Sequence, residues 1–251
     1  KSEVLENSVA YVRITQFQEK TGLKLAEALK KRFSETDNNV DGIILDLRND
    51  PGGLLNSAVA VTSAFIPENT LVVYTEGRVR NSSMKLFSRP EHYLRSGSKN
   101  YLADLPEKTK TVPMVVLINN GSASASEIVA GALQDHSRAV IMGTQSFGKG
   151  SVQTILPLNN GTAIKLTTAR YFTPKGRSIQ AKGITPDIVV SQATITPIDF
   201  EVKEDDEELK QKIGNLISAD LSEAYQIADK SSRQEKIAEL REKVKLSFED
   251  A

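Results

Sequence analysis

The 251-residue sequence predicts an α/β protein with mainly parallel strand pairing, and three observations carry that prediction. Short apolar runs alternate with helical-period segments as far as residue 143. Two of those runs end in Gly-containing turns that lead straight into a helical apolar face, and from Glu201 the composition shifts to charged helix formers.

The elements follow in order. Val9-Ala10-Tyr11-Val12-Arg13-Ile14 alternates as a strand, and Leu25, Leu29 and Phe33 at four-residue steps mark the helix after it. Residues 40–47 show the pattern of a buried strand. It is broken by Pro51-Gly52-Gly53 before Leu55, Ala58, Val59 and Thr62 mark a helix. Residues 75–112 are polar and irregular, rich in Arg, Ser, Lys and Pro, and read as a lid or insertion near the cleft. Met114 to Ile118 is a second buried strand, ended by Asn119-Asn120-Gly121. Residues 152–171 alternate around Asn159-Asn160-Gly161, a hairpin signal. In the tail, Leu209, Ile213, Leu216 and Ile217, then Ile237, Leu240, Val244 and Phe248, are spaced as two amphipathic helices. Their narrow apolar stripes suit packing on the chain itself or on a second copy. Domains are therefore expected over 1–200 and 201–251.

Composition bounds the function. Lys plus Arg equals Asp plus Glu at 32 each, so nothing in the charge balance points to nucleic acid, and no apolar run is long enough to span a membrane. There are no cysteines, which removes disulfides and cysteine nucleophiles. His92 and His136 lie too far apart to suggest a metal site, and no cofactor is expected.

Chemistry concentrates in Asn120-Gly121-Ser122-Ala123-Ser124-Ala125-Ser126-Glu127. Ser124 falls where a strand turns into a helix, facing unpaired backbone N–H groups and the positive end of the helix dipole, a place where an oxygen that becomes negative is stabilised. The same run, Ser124-x-x-Glu127 ahead of apolar residues, is also a capping box with a purely structural meaning. Ser122 and Ser126 leave open which hydroxyl matters. Lys149, between Gly148 and Gly150 and near Phe147, is an unusual surface cation. As a general base its amine must be neutral near pH 7, which burial beside apolar groups can bring about. Gln153 could orient that amine. The consecutive Gly52 and Gly53 suit an oxyanion hole, although a tight turn without a ligand is the plainer meaning. A triad of Ser124, His136 and Asp135 is disfavoured, because neighbours on a helix point about 100° apart. His136 better suits the end of its helix, where a cation is welcome.

Three motifs, Gly-Ser-Ala-Ser-Ala-Ser-Glu, Phe-Gly-Lys-Gly and Asp-Leu-Arg-Asn-Asp-Pro-Gly-Gly, together resemble the carboxy-terminal processing proteases, also called tail-specific proteases, of the S41 peptidase family. The resemblance covers about residues 5–190. It implies a ClpP/crotonase-like core and a serine endopeptidase that cuts protein substrates near their C-termini, with nonpolar tails preferred. It implies Ser124 as nucleophile and Lys149 as base, with Gln153 assisting, oxyanion donors at Ala125 and the Gly52-Gly53 turn, and a possible assisting role for Asp135. It also implies an exported, periplasmic setting, self-association through the terminal helices, and an activator or adaptor. Such proteases carry a PDZ domain ahead of the first strand. This chain begins at Lys1, so the resemblance implies a catalytic portion without it. Two other readings stand beside this one: a silent scaffold or partner-binding fragment, and a crotonase-type acyl-CoA enzyme, for which no nucleotide-binding signal is present.

Overall fold

The computed structural model describes residues 1–5, 8–77, 83–158 and 161–191. The predicted tail helices, with the self-association assigned to them, lie outside those residues. In chain order the elements are β1 (Ser2–Leu5), β2 (Val9–Arg13), α1 (Thr21–Glu35), β3 (Gly42–Asp46), α2 (Leu55–Ser63), β4 (Leu71–Gly77), β5 (Met84–Phe87), α3 (Pro90–Tyr93), β6 (Met114–Ile118), α4 (Ala125–Asp135), β7 (Val140–Gly143), β8 (Ser151–Pro157), β9 (Ala163–Phe172) and β10 (Ile188–Val189).

Six strands form one sheet in the order β1-β2-β3-β6-β7-β10. Every neighbouring pair is parallel except β1 with β2. The central strands are apolar on both sides because helices cover both faces, as parallel sheets require. Leu45, Leu47, Val116 and Ile118 are all buried. α1 buries Leu25, Leu29 and Phe33, one stripe at four-residue steps, and keeps its charged residues outside. α2 and α4 are different in kind. Nearly every residue of each is buried, and both are built from Ala, Val, Ser and other small residues, which lets them pack closely at the centre of the molecule. Gly131 in α4 illustrates the closeness, since an added Cβ would lie 2.7 Å from Thr173 Cγ2 and 2.9 Å from Ile184 Cδ1.

A second, antiparallel sheet runs β5-β4-β9-β8. Its β8–β9 pair is the predicted hairpin, closed by Leu158 N–H donating to Thr162 O at 2.8 Å. The base of this hairpin is anchored by buried Ala169 and Tyr171, while Ile155, Leu156, Ile164 and Leu166 toward its tip are exposed.

The stretch predicted to be an irregular lid has more structure than its composition suggests. Its described part holds β5, the short α3 and a 3-10 turn over Glu107–Lys110. Tyr93 and Thr109 are buried, Leu94, Tyr101, Leu102, Leu105 and Val112 pack against the core, and Tyr101 lies against Gly22 of α1. A few well-spaced apolar residues, diluted by polar ones, suffice to seat it on the α1–α2 side. The guanidinium of Arg138 secures that side by donating to Phe65 O at 3.0 Å and Thr109 O at 2.8 Å.

Candidate active site

The loops after β3 and β6 lie side by side at the ends of parallel neighbours, and their side chains bind one to the other. Asn49 N–H donates to Asn119 Oδ1 at 2.9 Å, and Asn119 Nδ2 donates to Asn49 Oδ1 at 2.9 Å. That cross-link decides among the three serines. Ser122 is fully buried; its hydroxyl donates to Leu47 O at 2.8 Å and accepts from Asn119 N–H at 3.0 Å. Ser126 is also fully buried, with its hydroxyl donating to Asp50 O at 3.0 Å. Ser124 is half-buried, sits at φ 56°, ψ −110°, and forms a capping box with Glu127, but among the described residues its hydroxyl donates to no acceptor. A non-glycine residue in that region is strained, and such strain persists where the surroundings over-determine it. Two serines brace the turn and the third is presented from it.

The Gly52-Gly53 turn presses against this elbow. A Cβ on Gly52 would lie 2.5 Å from Ala123 O and 2.8 Å from both Ala125 N and Ser124 Cβ, so only glycine, at φ +92°, allows the approach. The two glycines are not equivalent as donors. Gly52 N–H is taken by Asp50 Oδ1 at 2.8 Å. Gly52 O accepts from Phe17 N–H, and Leu54 N–H donates to Phe17 O, which secures the turn on both sides of Gly53. Among the described residues, no acceptor engages Gly53 N–H or Ala125 N–H. Of the expected oxyanion donors, Ala125 and Gly53 are therefore open and Gly52 is occupied in shaping the turn.

Lys149 reaches the same place through a residue that the sequence reading took for a helix cap alone. Glu127 is fully buried. One carboxyl oxygen accepts from Ser124 N–H and Lys149 N–H, both at 2.8 Å. The other accepts from Gly148 N–H and the Ser146 hydroxyl, both at 2.6 Å. Phe147 N–H adds a bond to Ser122 O at 3.0 Å. One side chain thus ties the backbone of Ser124 to the backbone of Lys149. Its cap position was the only trace of this in the sequence, since the second partner lies twenty-two residues away. The Lys149 side chain is exposed, Phe147 beside it is 68% exposed, and among the described residues no hydrogen bond joins Lys149 to Ser124.

Gln153 follows a β-bulge in β8, where the register shifts between Val152 and Gln153. Its side chain is exposed and makes no hydrogen bond to Lys149. Asp135 lies at the far end of α4, and eleven residues of helix at 1.5 Å each put it about 16 Å along the axis from Ser124. Its carboxyl accepts from Lys175 N–H at 2.7 Å and pairs with Arg177, which fixes the turn after β9. An assisting role at Ser124 has no geometric basis there. His136 ends α4, with its ring against Leu71 O at 2.7 Å, away from the elbow.

Residues 8–190 match peptidase family S41. A carboxy-terminal-processing protease of Bartonella bacilliformis is 51% identical over 189 residues, which are 75% of this chain and 40% of that protein. A carboxyl-terminal-processing protease of Synechocystis sp. is 39% identical over 189 residues, 75% of this chain and 39% of that protein. Among solved structures, a photosystem II D1 C-terminal processing protease superposes with a TM-score of 0.58 at 30% identity, covering 75% of this chain and 45% of that one. This chain spans about 40% of the length of the curated relatives it matches.

Proposed function

Because the chain belongs to peptidase family S41, we propose that it is the catalytic portion of a serine endopeptidase that cuts protein substrates near their C-termini, with Ser124 and Lys149 as a dyad. The observation that carries the reading is the strained elbow at Ser124, whose hydroxyl alone among the three serines donates to no backbone carbonyl among the described residues. Neutral Lys149 takes the Ser124 proton, and the alkoxide attacks the scissile carbonyl. Ala125 N–H and Gly53 N–H hold the oxyanion, with Gly52 placing the turn. Lys149 then gives its proton to the leaving amine, and water resolves the acyl-enzyme. Gln153 orients the amine once Lys149 folds in over the bulge.

Removal of water from Lys149 is the step that this portion leaves to others. A substrate strand along β8, the sheet edge that starts two residues after Lys149, would cover Lys149 and Phe147 together. The remaining portion of the longer relatives, or an activating partner, would do the same, which accounts for an exposed lysine in a resting form. Export to a periplasm, self-association through 201–251 and a separate helical domain there belong to the same proposal. No observation favours acyl-coenzyme A chemistry.

The test is digestion of an unfolded protein, read by mass spectrometry. Lys149→Ala is expected to lower the rate by about a thousandfold or more, as loss of the base costs in related dyads and triads. Unchanged cleavage in that variant sinks the dyad. If the chain is inert until the remaining portion of a longer relative, or an activating partner, is supplied, water removal from outside is upheld.

A further inference from the structure

Beneath the oxyanion turn lies a buried acid that the mechanism above does not use. Asp50 is fully buried, yet only one of its carboxyl oxygens is satisfied: Oδ1 accepts from Gly52 N–H at 2.8 Å, and Oδ2 has no partner. Its backbone is equally committed to the site, for Asp50 O accepts from Ala123 N–H and from the Ser126 hydroxyl, both at 3.0 Å. Asp50 therefore touches both halves of the oxyanion hole, the glycine turn through its side chain and the serine elbow through its carbonyl.

The charges around it are directed elsewhere. Arg48, on the same loop, is bound to Asp46. Glu127, on α4, is committed to the 146–149 backbone and Ser124. α2 and the 119–124 elbow carry no ionisable residue. Among the described residues no cation compensates Asp50. Burial pushes its carboxyl up to about 6, partly opposed by the Gly52 N–H and the Ser126 hydroxyl.

We propose that Asp50 is a proton-sensitive positioning residue: its carboxyl holds the Gly52-Gly53 turn in place in either charge state, and its negative charge opposes the oxyanion that forms above that turn. A carboxyl oxygen accepts the Gly52 N–H whether or not Oδ2 carries a proton, so geometry survives titration. The charge does not. An anion bound to the N–H of Gly52, the residue before Gly53, raises the energy of a second anion at Gly53 N–H and Ala125 N–H, by an amount on the order of tenfold in rate at an effective dielectric of 20. Protonation removes the penalty, so the site is quicker per neutral Lys149 on the acid side. This rests on the hydrolase reading for its consequence but not for its titration.

The same shift has a sign in stability. A carboxyl raised above its unfolded value binds its proton more tightly in the folded chain. Its contribution is therefore fully present below about pH 4 and is lost as pH rises through about 6.

Two measurements test the inference. First, the ratio of kcat/KM for Asp50→Asn to that of the unaltered chain, taken from pH 5 to 8, cancels the titration of Lys149. It is expected to rise three- to tenfold with a midpoint near 6, because asparagine keeps the Gly52 contact without the charge. Asp50→Ala, which loses the contact as well, is expected to be slower throughout. A flat ratio overturns the proposal. Second, in the Ser124→Ala chain labelled with ¹⁵N-glycine, the Gly52 and Gly53 amide resonances are expected to shift with the same midpoint, and no longer to do so once Asp50→Asn is added. Amides that do not move overturn the proposal even if no variant hydrolyses anything. In that case moving amides uphold the titration of the turn, while the absence of hydrolysis counts against the protease reading alone.

Discussion

Ser124→Ala is expected to abolish hydrolysis while leaving the fold nearly as stable as before. Loss of a nucleophile in a hydroxyl-based protease costs about six orders of magnitude in kcat. The Ser124 hydroxyl braces no other segment and serves the fold only in its capping box, so its removal should cost no more than about 1 kcal/mol. Ser124→Gly should instead stabilise the chain by about 1 kcal/mol, because glycine is at ease at φ 56° and serine is not. The neighbouring serines should behave in the opposite way. Ser122→Ala leaves the buried Asn119 N–H without the Ser122 acceptor and removes one of the two donors to Leu47 O, at a cost of about 1–3 kcal/mol, and lowers activity only as the elbow loosens. Activity assays alongside urea midpoints separate these outcomes. A Ser124→Ala chain that still cleaves, or one that loses several kcal/mol, would contradict the division of labour among the three serines.

Glu127→Ala is expected to cost both stability and activity, the largest combined loss of any residue that does not touch substrate. The substitution strips acceptors from the Ser124, Gly148 and Lys149 N–H groups and from the Ser146 hydroxyl, and leaves a cavity under the site. A structural loss of about 3–5 kcal/mol follows from that many orphaned donors. Glu127→Gln keeps the volume but turns two of four acceptor sites into donors that face N–H groups. About 2 kcal/mol and at least about a hundredfold in kcat should be lost, since a shift of 1 Å between nucleophile and base is enough for that. The informative observable is kcat in Glu127→Gln at a temperature where the chain is fully folded. Wild-type kcat there would mean that Lys149 does not depend on this tether for its place.

Much of this molecule was legible in the order of its residues. β6 falls on the predicted apolar run, and α1 shows the expected stripe, because burial on one or both faces leaves a period that survives without tertiary context. The elbow and the glycine turn were legible for a similar reason: each is a strand-to-helix junction whose special backbone demands particular small residues. The 84–112 segment was not, because its buried and half-buried side chains are spread irregularly through a polar stretch and leave no period to read. The resemblance implies a possible assisting role for Asp135, and helix rise sets this residue at the far end of α4, where it pairs with Arg177.

By itself, the sequence determined which residue types stand at the junctions of an α/β core and hence the family, since local spacing encodes strand, turn and helix. Only the tertiary structure decided the commitments of individual polar atoms. Ser122 and Ser126 became braces and Ser124 the presented hydroxyl. Gly52 became a shaper and Gly53 an open donor, and Glu127 became the tether of Lys149. Hydrogen-bond partners from 22 to 76 residues apart meet through packing alone, and it is that meeting which sets one serine apart from its neighbours.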